Sequence, residues 1–474
     1  MDAVSNSPTT ETQLDARYRA RSLWLEEIAG PLRPRPSLPG DRDYDVAIVG
    51  AGFTGLWTAY YLKTLQPDLR VAVIEREIAG YGPSGRNGGW AIGGLVGSPS
   101  AYGLAAGGEQ LQRALRATYE GVDEIGAVAE REQIDCGFVK AGALTIASSA
   151  PQWRRLQASQ TGGTAASHGA SEGTLLSAAE AQAFAAVPAI HGGRFTPHAA
   201  RINPAQLVRG LAAACERHGV TIYEQTAALA IERGVVRCAS GHVSAEVVIG
   251  ATESYTTQLP GARLRYLPLY SLMIATEPLD EQAWAELRWQ PGLLIDDAHY
   301  LFFYAQRTAD GRIAIGGRGA PYRLRSPIDE RNERDERVHA RLLATLQRAF
   351  PAAAAARVTH HWGGPLAAPR DWSMGVRFDR ASGLGTAGGY TGHGVVAANI
   401  SGATLADLIL GRESALTTMP WVGHRSRRWE PEPLRFLASR AIVATLGAAD
   451  RREDSSGRYA RRVALLRPFL PPAH

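Results

Sequence analysis

The run Gly50-Ala51-Gly52-Phe53-Thr54-Gly55 constrains this chain more than any other feature, because of what flanks it. Before it, DVAIVG is a near-continuous apolar run, as expected of a strand buried on both faces in a parallel sheet. After it, TGLWTAYYLKTL reads as a helix, and LRVAVIE supplies a second buried strand ending at Glu75. A βαβ unit with glycines at its first turn has a defined chemistry. Gly50 permits the tight turn, Gly52 lets the backbone approach a pyrophosphate, and Gly55 lets helix and strand pack closely. The helix N-terminus at Thr54 offers N–H groups and a positive dipole to phosphates. Glu75, followed by Arg76, places a carboxylate where ribose hydroxyls would lie. A chance glycine turn is the alternative, and the flanking strands, helix and acid argue against it.

Two further segments share this character. IAGYGPSGRNGGW, Ile78 to Trp90, is too rich in glycine for an ordinary core element. Gly85, Gly88 and Gly89 allow backbone N–H groups to converge on one ligand, and Ser84, Arg86 and Asn87 add donors. By itself the segment also suits a solvent-exposed loop. GGYTGHGV, Gly388 to Val395, leads into a late helix, with Gly389, Gly392, His393, Gly394 and Val395 at the turn. Such a turn aims N–H dipoles at any negative charge in front of it.

Together with ARINPAQLVRGLA, DGRIAIGGRGAPYR and WGGPLAAPRDW, these motifs resemble the FAD-dependent D-amino-acid oxidase superfamily of the glycine and sarcosine oxidase type. The similarity is strongest to the bacterial branch that includes gamma-glutamylputrescine oxidase, and it runs from about Tyr44 to Gly411. The resemblance implies an α/β fold: a Rossmann-like FAD-binding domain with an interleaved antiparallel-sheet substrate domain. It also implies hydride transfer from a carbon bearing nitrogen to the flavin, giving an imine, with O2 the expected electron acceptor ahead of a dye or quinone. In AHYLFFYAQ, strand alternation puts Tyr300, Phe302 and Tyr304 on one face. Core packing is the plainer role for each aromatic, but Tyr300 and Tyr304 also suit a wall that hydrogen-bonds an amine. His393 is the third catalytic candidate, beside the flavin.

The chain departs from the family's pattern in three places. Amino-acid-oxidising members present an arginine just after a Trp-Gly step to grip the substrate carboxylate. Here the sequence is Trp362-Gly363-Gly364-Pro365, with Gly364 in that place, and Arg318 and Arg370 are the nearby substitutes. This favours an amine over a simple amino acid. The loop from Gly82 to Trp90 has no histidine, and no cysteine follows Cys238, so the FAD is expected to be non-covalent. Lysine occurs only at Lys63 and Lys140, away from the flavin-facing block, so His393 or Arg318 would have to supply any cation that activates oxygen.

The 474 residues suffice for more than one domain. The expected division is 1–43 as extension and linker; 44–136, 197–262 and 360–415 as the FAD domain; 137–196 and 263–359 as the substrate domain; and 416–474 as a helical tail. No apolar run is long enough to span a bilayer, and no signal-peptide pattern opens the chain. Three scattered cysteines, Cys136, Cys215 and Cys238, fit neither a disulfide framework nor a metal site, and a cytoplasmic location suits them. The net charge of +5 invites a nucleic-acid partner, but basic residues alternate with acids, as in IDERNERDERVHAR, so none is expected. An FAD-dependent tailoring enzyme or dehydrogenase of a larger metabolite is the competing function, with an RNA-acting or a non-catalytic flavoprotein behind it.

Overall fold

The computed structural model describes residues 11–105, 107–161, 172–317, 319, 322–325, 328–463 and 466. Its first sheet runs in the order Gly375–Asp379, Leu384–Gly388, Gly241–Gly250, Arg42–Val49, Val71–Ile74, Thr221–Tyr223. The last five strands pair in parallel. Val71–Ile74 is buried at every position, as expected of a strand covered on both faces. The helix Phe53–Leu65 covers one face and packs against Gly394–Leu410 so closely that a Cβ on Gly402 would lie 2.6 Å from the Trp57 Cβ.

The second sheet has eight strands, ordered Val358–Ala368, Leu267–Thr276, Ile313–Gly317, Phe303–Arg307, Leu294–Asp297, Ala143–Ala147, Gly192–Thr196, Thr174–Ser177. All pairings are antiparallel except that of Leu294–Asp297 with Ala143–Ala147. One face carries its own core, built on Leu272, Ile295, Phe303 and Leu342. Val358–Ala368 pairs with Leu267–Thr276 along its whole length, so the boundary expected at 360 falls inside a strand of this sheet. The Trp362-Gly363-Gly364 step belongs to the substrate-side sheet and not to the nucleotide-binding one.

The N-terminal segment differs from an extension. Its helices Glu11–Arg19 and Leu23–Glu26 sink Tyr18, Leu23, Trp24 and Leu25 into a core shared with Met273 and Trp362. The proline-rich stretch after them is extended, yet Arg35 is pinned between Glu216 and Glu224, both at 2.8 Å. No helix among the described residues is long and apolar enough to cross a membrane.

Candidate functional site

In a parallel sheet, ligands lie in the crevice beyond the carboxyl ends of the strands. Pairing of Val49 with both Ile74 and Gly250 brings the turn at Gly50, the acid Glu75 and the segment Ala251-Thr252-Glu253 to one edge. A continuous cavity of about 1530 Å³ opens there and runs across to the second sheet. That exceeds the ~300–1,000 Å³ of a pocket for one small ligand.

The fingerprint residues have the expected shapes. Gly50 has φ +108°, and a Cβ there would lie 2.5 Å from the Ala251 carbonyl oxygen. A Cβ on Gly55 would collide with the Gly50 carbonyl, so this glycine is the close-packing point and does not itself face the cavity. Gly52 caps the helix, and a Cβ on it would lie 2.8 Å from Ser84 Oγ, which accepts a hydrogen bond from the Phe53 N–H at 2.9 Å. Glu75 accepts from the N–H groups of Ala51 (2.9 Å) and Glu77 (3.0 Å), and burial raises its carboxyl to about 6. Arg76 lies over the Tyr255 ring and reaches Gln258 at 3.0 Å. Thr54, Gly50, Gly52, Glu75 and Arg76 all line the cavity. A glycine-walled helix N-terminus facing a cavity, with an acid beside it, fits a dinucleotide; these residues would hold its pyrophosphate and ribose.

The glycine-rich loop serves structure more than ligand. Arg86 lines the cavity but has most of its donors engaged within the protein. Its guanidinium is buried, donating to Glu333 (2.6 Å), the Gly363 carbonyl (3.0 Å) and the Tyr255 hydroxyl (3.2 Å). Asn87 shapes the loop, accepting from the Gly89 N–H and donating to the carbonyls of Pro83 and Ser84. Gly85, Gly89 and Gly389 lie off the cavity wall, because their bare faces meet the Gly80 carbonyl, Gln306 with Ile202, and Pro369, respectively. Ser84, Gly88, Gly392, His393, Gly394 and Val395 do line the cavity. The loop is clamped from behind by the N-terminal segment: Ser22 donates to the Gly85 carbonyl and the Trp24 indole to the Asn87 carbonyl.

On the substrate side, strand alternation turns Leu267, Leu269 and Ser271 toward the cavity, with Gly364 and Leu366 on the neighbouring strand. A Cβ on Gly364 would approach no atom more closely than 3.7 Å, the nearest being the Arg86 guanidinium. Tyr304 lies flat between Gly88 and Gly316, its hydroxyl 2.7 Å from Ser271 Oγ, and burial raises the phenol to about 12. Tyr300 is not its partner on a shared face. Residues 298–302 form the turn between Leu294–Asp297 and Phe303–Arg307, so alternation begins only at Phe303. Tyr300 instead lies under the Arg155 guanidinium and donates to Glu453 at 3.3 Å, at the far rim of the same cavity. His393 faces the cavity, and burial pushes its imidazole down to about 4, so it is neutral at pH 7 and supplies no charge to oxygen. The other candidate cation, Arg318, lies outside the described residues.

Glu253 was missed in the sequence. It faces the cavity with a carboxylate oxygen accepting from the Tyr390 N–H at 3.1 Å, and burial raises it to about 7. The signal was VIGATE, since an acid just past a strand beside the fingerprint strand must reach the same edge. The folded value lies above the ordinary 4.5, so the acid form is the favoured one; its contribution is complete below about pH 4.5 and is lost as pH rises through about 7. Glu253→Gln is therefore expected to melt with wild type at about pH 5 and above it at about pH 8. Equal midpoints at both pH values would refute this.

The model of the FAD-dependent oxidoreductase family known as DAO matches residues 45–408, and the chain belongs to that family. It is an enzyme class that binds FAD, as the cavity's donor set fits. Among curated relatives, a probable oxidoreductase, OrdL, of Rhizobium meliloti (strain 1021) is 30% identical over 83% of this chain and 89% of its own length. The gamma-glutamylputrescine oxidoreductase of Escherichia coli (strain K12) is 29% identical over 84% and 92%. Glycine oxidase from Geobacillus kaustophilus shares the fold, with TM-score 0.66, 20% identity, and coverage of 82% of this chain and 100% of that one.

Proposed function

We propose that this FAD-dependent oxidoreductase oxidises an amine, abstracting hydride from the carbon bearing nitrogen to leave an imine that water hydrolyses. The observation that carries the choice of amine over amino acid is the pairing of the cavity's arginines. Among the described residues, Arg86, Arg155, Arg370 and Arg435 line the cavity, and each is already held by a carboxylate: Glu333, Glu453, Glu430 and Glu432. Arg76, directly after Glu75 and beside Glu77, belongs to the nucleotide end of the cavity. A substrate carboxylate would have to compete with one of these pairs, and at Arg86 and Arg155, whose carboxylate partners are buried, displacing the partner would leave a buried charge behind.

Bound FAD, held without a covalent link, supplies the two-electron acceptor. All three cysteines are buried and none lines the cavity. The chain's residues position and enclose. Tyr304, held by Ser271, walls the chamber with a hydroxyl that stays protonated at neutral pH, and Leu267, Leu269 and Leu366 exclude water. No side chain is asked to take a proton in the hydride step, because the neutral amine's own lone pair drives it.

The test is anaerobic mixing of the holoenzyme with a panel of amines and amino acids, following flavin bleaching. Reduction by amines and not by amino acids is expected, and the reverse would refute the assignment. With an active amine, reduction should slow as pH falls below the amine's pKa, since an ammonium has no lone pair. Tyr304→Phe should slow it about 10-fold or less. A loss of several orders of magnitude would make Tyr304 an acid–base group.

One observation favours an electron acceptor other than oxygen. His393 is neutral and neither lysine lines the cavity, so the described wall offers no unengaged cation for superoxide. Reduced holoenzyme is expected to turn over faster with a quinone or dye than with oxygen. Stopped-flow reoxidation by oxygen well above the rate of free reduced flavin would reverse this.

A further inference from the structure

Resting on the amine assignment, we propose that the C-terminal helix Leu434–Ser456 is a wall of the substrate chamber and selects amines carrying an extended apolar substituent. Leu434, Ala438, Ile442 and Leu446 recur every four residues, which places them along one stripe of the helix, and Val443 broadens it. All five line the cavity. Leu301 packs with Ile442 and Leu446 in one apolar cluster, which closes that end of the stripe, and Phe302 with Leu267, Leu269 and Leu366 of the second sheet lines the same cavity. A ligand segment between two apolar walls gains by burying apolar surface, while a charged segment there would lose its hydration without a partner.

The helix is fastened in place, so the wall is part of the fold. Asp450 accepts from the N–H groups of Tyr300 and Leu301, both at 2.9 Å. Asp454 meets His299 at 2.9 Å, and Glu453 pairs with Arg155 at 2.6 Å. These three acids lie on the last turns of the helix and clasp the 298–302 turn, whose other side is the cavity rim. At the opposite end, the Trp429 indole donates to the Ala368 carbonyl at 2.8 Å, and Glu432 takes the Tyr322 hydroxyl and the Arg435 guanidinium. Of the helix's polar residues, Arg435 and Ser439 also reach the cavity, but Arg435 is held by Glu432 and Ser439 donates to the Arg435 carbonyl, so the rest of the face toward the chamber is apolar.

The test separates the wall from the amine chemistry. Calorimetry on the FAD-loaded protein would titrate alkyltrimethylammonium ions from ethyl to octyl, whose quaternary nitrogen has no lone pair and so binds without reacting. Affinity should rise about three- to fourfold per methylene, the equivalent of burying each CH2. Ile442→Asp, at a half-buried position on the stripe, should flatten that series. Leu437→Asp, exposed and off the cavity, should leave it intact and serves as the folding control. The same series of primary alkylamines, followed by flavin bleaching, reports the chemistry. Chain-length dependence in binding with no bleaching by any amine would leave the wall standing and sink the proposed function. A flat wild-type series, or a series that Ile442→Asp does not change, would overturn the wall.

Discussion

A Gly52→Val variant is expected to purify folded but colourless. The position is an N-cap with extended backbone, φ −87° and ψ −175°, so valine is not excluded by its backbone angles. It is excluded by space. Even the Cβ would lie 2.8 Å from Ser84 Oγ, and the added methyls must go either into that hydroxyl or into the cavity. The first choice displaces the acceptor of the Phe53 N–H; the second fills the approach to the helix N-terminus. Either way the first free N–H groups of the helix lose their access to a pyrophosphate, and loss of at least 100-fold in FAD affinity is expected, the scale of two charge-assisted hydrogen bonds at the low end of their range, about 1.5 kcal/mol each. The parallel strands on both sides of the turn are untouched, so far-ultraviolet circular dichroism should stay near wild type. A yellow variant holding stoichiometric FAD would show that the pyrophosphate does not lie here.

The fingerprint was legible because its pattern is local. A strand, a turn that demands glycine and a helix follow one another directly from Arg42 to Leu65, although only Gly55 meets a near neighbour, the Gly50 carbonyl, while Gly50 and Gly52 are hemmed in by Ala251 and Ser84. The aromatic wall was legible only in part. Tyr304 sits on a true strand, whereas Tyr300 sits in a turn that no periodicity marks, and its surroundings come from residues about 150 positions away, Asp450 and Glu453. Arg86 was legible only in part, for the same reason. Its motif looks like a donor waiting for a ligand, and what claims the donor is Glu333, which lies 247 residues on. The two ends of the chain were the least legible. The residues before Tyr44 and after Gly411 lie beyond the family's motifs, yet Trp24 is packed edge-on against Trp362, and the C-terminal helix lines the cavity. The short N-terminal helices gain their stability from tertiary burial, which sequence pattern reports poorly.

Replacing Glu333 with alanine is expected to destabilise the protein more than any single substitution in the nucleotide turn. Its carboxylate, on the short helical turn Glu330–Glu333 at the second sheet, sits between Arg86 and Arg21. Arg86 belongs to the glycine-rich loop and Arg21 to the N-terminal segment, so one carboxylate joins three parts of the chain that are far apart in sequence. Both guanidiniums are nearly or wholly withdrawn from water, with side-chain exposures of 9% for Arg21 and 0% for Arg86. Alanine leaves two buried cations facing each other. Arg21 keeps a bridge to the half-exposed Glu330 at 2.8 Å, but Arg86 keeps only carbonyl and hydroxyl acceptors. Stranding one buried charge costs about 3–5 kcal/mol, and the cost here belongs mainly to Arg86. Arg86→Met in the Glu333→Ala background removes the stranded cation and should recover part of that loss, which a general packing defect would not allow. The readout is denaturant unfolding of the FAD-loaded protein, with flavin fluorescence reporting release. A midpoint within error of wild type for Glu333→Ala, or no recovery in the double variant, would mean that water reaches this trio and that the loop is held chiefly by Trp24 and the backbone.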